Sequence, residues 1–470
     1  MPRTDYREPE PPDYCERHFT ESRQRFILIL MRTLLKNGRI LDPSQELDTI
    51  GSVLIEDDQI IEIGDISDDS DLDEIYDCTG LWITPGLVDM HVHLREPGAS
   101  HKETIATGTQ AAAAGGYTTI CCMPNTNPPL DNPALIDFIL DKAASPEAGG
   151  IFVAPVGALT RGMKGKELAD LSAMKKAGIV AASDEEFPVQ NSLVMMRAME
   201  FCVQLDLPIM AHCEDTSLSD GGSMNDGEIS AKLGLKGIPR CAEEIAIVRN
   251  GLLALHTGCR LHIMRVSTWG AVEMVRQLKY LNAPITCEIC PMHFALTDDA
   301  VGEFDTRYKT IPPLRTQVDI DLLLQGINDG TIDCIASDHS PHASHEVDVP
   351  FEEAPFGTAQ LESAVGVTLT YLTHTGVLSP LETVRKLSTK PAEILRLDAG
   401  SLKPGVTPVA QVTIIDPDVE YVFDRSKTFS KSKNTPFHGF KLKGKAMVTF
   451  CGGEVYRDAL FSDHRYQVVE

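Results

Sequence analysis

The chain has few aromatic residues, 6% of its 470 positions, with only two tryptophans. Its 43% hydrophobic content is therefore mostly aliphatic, and any core must be packed from Val, Ile, Leu, Ala and Met side chains. No run approaches the ~20 apolar residues that a bilayer-spanning helix needs, so no membrane partner is expected. Basic residues are scarce relative to acidic ones, 42 against 68, for a formal net charge of -26. Without clustered Lys and Arg to neutralise phosphates, nucleic acid and anionic membranes are poor partners. Twelve cysteines are present but scattered, several of them inside apolar strand-like runs (Cys121, Cys122, Cys213, Cys334). That pattern fits reduced, buried thiols in a cytoplasmic protein rather than a disulfide framework. Cys287-Glu-Ile-Cys290 has no second pair, which argues against a zinc knuckle. The first 25 residues are polar and Pro-rich and lack a signal-peptide cleavage pattern. Residues 1–30 are expected to be a disordered extension, with Met31 as an alternative start.

At 470 residues the chain exceeds one ordinary domain. Short apolar β-runs occupy residues 86–93, 117–123, 151–157, 179–183, 208–212, 260–267, 284–290 and 332–337. Longer helical stretches separate them. Continuous apolar strands alternating with helices indicate a parallel sheet buried on both faces. Eight such units predict a closed (β/α)8 TIM-type barrel over residues 86–384, with its active site at the C-terminal mouth. The flanks, residues 31–85 and 385–470, are short β-runs broken by Asn37-Gly38, Asp416-Pro417 and Gly452-Gly453. They are predicted to pair into a small β-sandwich beside the barrel.

The polar residues that follow the eight runs form a chemically coherent set. The first run ends in His91 and His93, two apart and so on one side of a strand, followed by Arg95. The second is followed by Asn125, the fourth by Asp184, Glu185 and Glu186, the fifth ends in His212, and the sixth carries Arg265. The seventh is followed by His293, and the eighth by Asp338, His339 and His342. A His-x-His pair alone is a weak signal, and a single histidine at a strand end is more often structural than a ligand. Imidazoles and carboxylates from several strand ends facing one mouth predict a metal, and zinc takes N and O ligands readily.

Several motifs carry a resemblance to the dihydroorotases of the amidohydrolase superfamily, in their long bacterial class (class I). They are Asp89-Met-His-Val-His-Leu-Arg-Glu-Pro-Gly98, Met123-Pro-Asn-Thr-Asn-Pro-Pro129, His212-Cys-Glu-Asp215, Ser337-Asp-His-Ser-Pro-His342, Ala354-Pro-Phe-Gly357 and Ser430-Lys-Ser-Lys-Asn-Thr-Pro436. The resemblance implies a metal-dependent cyclic amidohydrolase that interconverts N-carbamoyl-L-aspartate and L-dihydroorotate in pyrimidine synthesis. It implies zinc, one ion more readily than two, with His91, His93, Glu185, His212 and Asp338 as candidate ligands. Asp338 would be the catalytic proton shuttle. His93, Arg95, Asn125, His342 and the Phe356-Gly357 backbone would bind substrate. Aspartate transcarbamoylase and a second copy of the chain are the protein partners it suggests.

Three positions depart from the family pattern. The strand-four ligand, normally the second aspartate of Asp-Asp-Gly, is Glu185, and the glycine is Glu186. The strand-six histidine is Arg265, which has no lone pair for a metal. A substrate-binding asparagine is Ile311. One reading keeps an active enzyme with one ion held by His91, His93, Glu185 and Asp338, the Arg265 charge replacing a second ion. The other is an impaired homologue that scaffolds aspartate transcarbamoylase. A lesser alternative is a hydantoinase or allantoinase, but those usually carry a carboxylated lysine on strand four, where none is present here. Lys102, Lys164 and Lys166 are the nearest lysines, and none ends a strand. A lone guanidinium in a closed mouth is costly, so Arg265 is predicted to pair with Glu185 or Glu186.

Overall fold

The computed structural model describes residues 31–66 and 71–469. The expected N-terminal extension lies outside them. All eight expected barrel strands form: Leu87–Val92, Tyr117–Cys122, Phe152–Ala158, Ala181–Ser183, Ile209–His212, Leu261–Met264, Ile285–Ile289 and Cys334–Ile335. They pair in parallel and in sequence order. The eighth strand is two residues long, and the barrel closes through a parallel bridge between Val92 and His339. There the His93 amide donates to the His339 carbonyl at 2.8 Å.

Between strands run helices with legible signals. Thr104 caps Ile105–Gly115 by accepting from the Thr107 amide, and Gly116 ends that helix in a left-handed conformation. Asp319 fastens the start of Gln317–Asn328, its carboxylate accepting from the Thr316 amide at 3.2 Å and hydroxyl at 2.6 Å. The outer faces of the strands pack on these helices in one aliphatic cluster that includes Leu87, Val92, Ile120, Ile263 and Ile289. Inside the barrel a second cluster is rich in sulfur: Met90, Cys121, Met123, Met210, Met264 and Cys334, with Ala154, Val156 and Ala181.

The flanking segments from both chain ends join beside the barrel, as expected of the small β-unit, and do so in one nine-stranded mixed sheet. Trp82–Pro85 is the hinge of this unit: it runs parallel to Arg32–Asp42 and antiparallel to Gln411–Val422, which brings both ends of the chain together. It has its own core of Leu35, Ile40, Tyr76, Ile83, Val412, Ile414 and Phe450. Residues 385–395, expected among the β-runs, are helical instead. Pro391 near the start of Lys390–Leu395, followed by Ala, Glu, Ile and Leu, favours that choice, and Leu395 packs under the barrel.

Candidate active site

Four strand ends present their functional residue in an unusual backbone conformation. Arg95, Glu185, Arg265 and Asp338 all have positive φ, at 61°, 44°, 55° and 51°. Non-glycine residues rarely adopt it, and such strain gathers where a site requires one side-chain direction. Each chain turns sharply out of its strand here, so the side chain points across the mouth.

His91, His93, Glu185 and Asp338 converge there, with one ligand atom from each within 4.8 Å of the others, all four residues buried. His91 Nε2 lies 3.1 Å from Glu185 Oε1 and 3.5 Å from Asp338 Oδ1. His93 Nε2 lies 3.9 Å and 3.7 Å from the same two oxygens. Ligand atoms around a tetrahedral zinc with bonds of about 2.1 Å are separated by roughly 3.4 Å, so the spacing suits that ion.

The imidazole tautomers are set from behind. Asn125 Nδ2 donates to Glu185 Oε2 at 3.3 Å and to Glu186 Oε1 at 3.0 Å, which turns its Oδ1 toward His93 Nδ1, 2.7 Å away. His93 therefore carries its proton on Nδ1 and aims a bare Nε2 at the centre. That buried atom has no hydrogen-bond partner. Burial, reinforced by the Arg95 charge, holds His93 below the usual imidazole range and so neutral. For His91, Nδ1 faces Glu288 Oε1 at 2.7 Å. Burial alone would lower its pKa, but Glu288, Asp338 and Glu185 together raise it to about 10. The space at His91 Nε2 therefore demands a positive charge, which a proton or a metal ion can supply.

Arg265 is the permanent cation of the site. Its Nη2 lies 2.9 Å from Glu185 Oε1 and its Nη1 3.3 Å from Asp338 Oδ1, as expected for Glu185 and with Asp338 as an added partner. Burial would favour protonation of both carboxyls. Against it, Arg265 and the two histidines hold Asp338 near 2 and Glu185 well below the ordinary carboxylate range.

The remaining expected residues divide. Arg95, Asn125, Ile311, Phe356 and Gly357 line the same small cavity as His93, Glu185, Arg265 and Asp338. Arg95 Nε donates to the Pro341 carbonyl at 3.1 Å, and His342 Nε2 donates to the Phe356 carbonyl at 2.8 Å. Two glycines permit this packing. A side chain on Gly98 would meet the Asn127 carbonyl at 2.0 Å, and one on Gly357, at φ 117°, would meet Ser340 Cβ at 2.6 Å. His212 stands outside the four-residue group: Glu214, two residues on and so on the same side, takes its Nε2 at 3.1 Å. His293 also stands apart, bound to the Pro312 carbonyl at 3.0 Å.

Two functional neighbours were missed by the sequence reading. Glu288 sits between His91 and His262 Nε2, the latter at 3.1 Å, and His262 Nδ1 meets Thr286 Oγ1 at 2.8 Å. Burial raises the Glu288 pKa, yet the two histidines bring it down to about 2. Both residues lie in the middle of apolar strands, where a buried charge needs a partner. That was the available signal.

The comparisons with known proteins agree with this arrangement. Residues 80–270 match the "Dihydro-orotase-like" family model. The dihydroorotase of Thermoanaerobacter sp. (strain X514) is 46% identical over 425 residues, covering 90% of this chain and 97% of that protein. That of Pelotomaculum thermopropionicum is 47% identical over 425 residues, covering 90% and 98%. Among solved structures, the L-hydantoinase of Arthrobacter aurescens superposes with a TM-score of 0.79 at 24% identity, over 91% of this chain and 96% of that one. A D-hydantoinase gives 0.79 at 22% identity, over 92% and 96%. These last two share the fold of this chain, an eight-stranded barrel with a flanking sheet. With the relatives aligned over nearly their whole length and a site of two histidines and two carboxylates at the barrel mouth, the chain belongs to the dihydroorotase family of metal-dependent cyclic amidohydrolases.

Proposed function

We propose that this chain interconverts N-carbamoyl-L-aspartate and L-dihydroorotate with a single zinc ion. The observation that carries the reading is the unpartnered His93 Nε2, buried and aimed at the same point as His91, Glu185 and Asp338. Bound there, zinc would supply Lewis-acid polarisation of the ring amide carbonyl and a lowered pKa for water. Asp338 remains ionised beside Arg265 and can take a proton from the attacking water and return it to the leaving amide nitrogen. Arg265 leaves one face of the Glu185 and Asp338 oxygens occupied, which favours one ion over two. Arg95 offers the remainder of its guanidinium to a substrate carboxylate. Ile311 gives the ring a purely apolar contact.

The cavity between these residues holds only about 10 Å³, room for a single water. A dihydropyrimidine ring therefore enters only if a side chain withdraws. Glu186 is suited to do so: it is half-buried, and its carboxylate occupies the Asn125 amide that the family resemblance assigns to substrate.

Among the described residues no helix is long and apolar enough to cross a membrane. The free thiols, largely buried, are the feature that favours a reducing, cytoplasmic compartment. A second reading, an impaired homologue that scaffolds aspartate transcarbamoylase, is favoured by one observation: Arg265 already rests on two of the oxygens a metal would use. Measuring zinc content and dihydroorotate hydrolysis on one preparation separates them. About one zinc per chain with turnover supports the enzyme. Neither metal nor turnover after zinc addition, with a transcarbamoylase retained on the purified protein, supports the scaffold. Self-association of the chain is read from its sedimentation in the same preparation.

A further inference from the structure

A second group of metal-binding side chains lies on the rim of the mouth, outside the site just described. His101 belongs to the segment after the first barrel strand, and His345 and Glu346 to the helical turn Ser344–Val347 after the eighth. One ligand atom from each of the three lies within 4.8 Å of the others. The two imidazoles stack with ring centroids 6.1 Å apart and planes at 29°, and His101 Nε2 is 3.7 Å from Glu346 Oε1. Glu346 is held from behind, because its Oε2 accepts the Ala343 amide at 2.9 Å, so its Oε1 is presented to the two rings. Two histidines and a carboxylate, with solvent at the fourth position, are a ligand set zinc accepts.

We propose that His101, His345 and Glu346 form a peripheral site for a divalent transition metal, bound in competition with Lys102. The competition follows from the geometry: Lys102 Nζ lies 2.9 Å from the same Glu346 Oε1 and 3.4 Å from His342 Nδ1. A metal on Glu346 displaces this ammonium. Lys102 would then lose its anchor beside His342, whose other nitrogen holds the Phe356 carbonyl at the cavity wall. The metal would also tie the first and last strand-end loops together, and those loops carry Arg95 and His342. Occupancy of the rim would therefore be read at the mouth as weaker or stronger substrate binding, with the chemistry unaltered.

The proposal goes beyond the assigned activity and does not depend on it. Equilibrium dialysis of the full chain against zinc or cobalt chloride tests it, using wild type, His101→Ala, His345→Ala and Lys102→Gln. Both histidines are exposed, so their removal spares the fold. Wild type is expected to take up one exchangeable equivalent that each histidine variant loses, while Lys102→Gln binds it more tightly. In wild type, and not in the histidine variants, rim loading shifts KM with kcat unchanged. Equal uptake by wild type and both histidine variants overturns the proposal, whether or not the preparation turns over dihydroorotate.

Discussion

The same eight strands build two different interiors. Beneath the mouth the barrel is filled with Met90, Met210, Met264, Cys121 and Cys334, where Cys334 Sγ approaches Met90 Sδ at 3.6 Å. Burial pushes the Cys121 and Cys334 thiols well above their ordinary pKa, so this floor carries no charge. A few residues further along, the mouth holds Arg95, Arg265, Glu185, Asp338 and Glu288, all nearly without solvent contact. The floor is soft and adaptable, since unbranched thioethers fill irregular gaps. The mouth is the opposite: Arg265, Glu185, Asp338 and Glu288 each face an opposite charge or an imidazole, and removal of one leaves another uncompensated. Stability and function thus occupy separate layers of one barrel, and substitutions in the two should behave differently.

The largest effect is expected from Asp338→Ala. Loss of the proton shuttle should cut kcat by about 10²–10⁴-fold while the far-UV circular dichroism spectrum stays that of the wild type. Retained turnover would remove Asp338 from its role. Next is Glu288→Gln, which leaves all four candidate ligands in place but weakens the support behind His91. Zinc affinity should fall by about 10–100-fold in equilibrium dialysis; wild-type affinity would mean that the layer behind the ligands is only structural. Glu186→Gln should lower the KM for N-carbamoyl-L-aspartate by about fivefold or less, the scale of one partly solvated charge. The gain should shrink for dihydroorotate, which carries one carboxylate fewer. An unchanged KM for both would show that Glu186 does not guard the cavity. The smallest effect belongs to the floor. Met210→Leu conserves volume and should cost under about 1.5 kcal/mol in urea unfolding, with metal content and kcat unaltered. A change in metal content there would break the separation of layers.

The contrast also explains what the amino-acid sequence disclosed. Barrel strands are legible because burial on both faces makes each a continuous apolar run, and the residues ending them stand out by polarity. His91, His93, Glu185 and Asp338, which the structure brings together, are candidates for that reason, and the cost of a lone buried guanidinium foretells the pairing of Arg265 with Glu185. Glu288 and His262 are hidden because they sit inside the runs, where one charge hardly alters the apolar pattern. His212, a candidate ligand by the family resemblance, stands outside the four-residue group with Glu214 at its Nε2. The nine-stranded sheet was only half visible, since its pairing of Trp82–Pro85 with Gln411–Val422 spans more than 300 residues and no local pattern encodes it.

The bridge between Val92 and His339 has a consequence for how the protein comes into being. Two of the candidate ligands, His93 and Asp338, adjoin this seam and are separated by 245 positions along the chain. During synthesis the first half of the site leaves the ribosome long before the second, at roughly 5–20 residues per second. No nascent chain that stops short of the eighth strand can assemble the four-ligand centre. The four residues meet only once the ring is closed, so truncated or stalled products should emerge without the centre rather than as leaky, half-active enzymes.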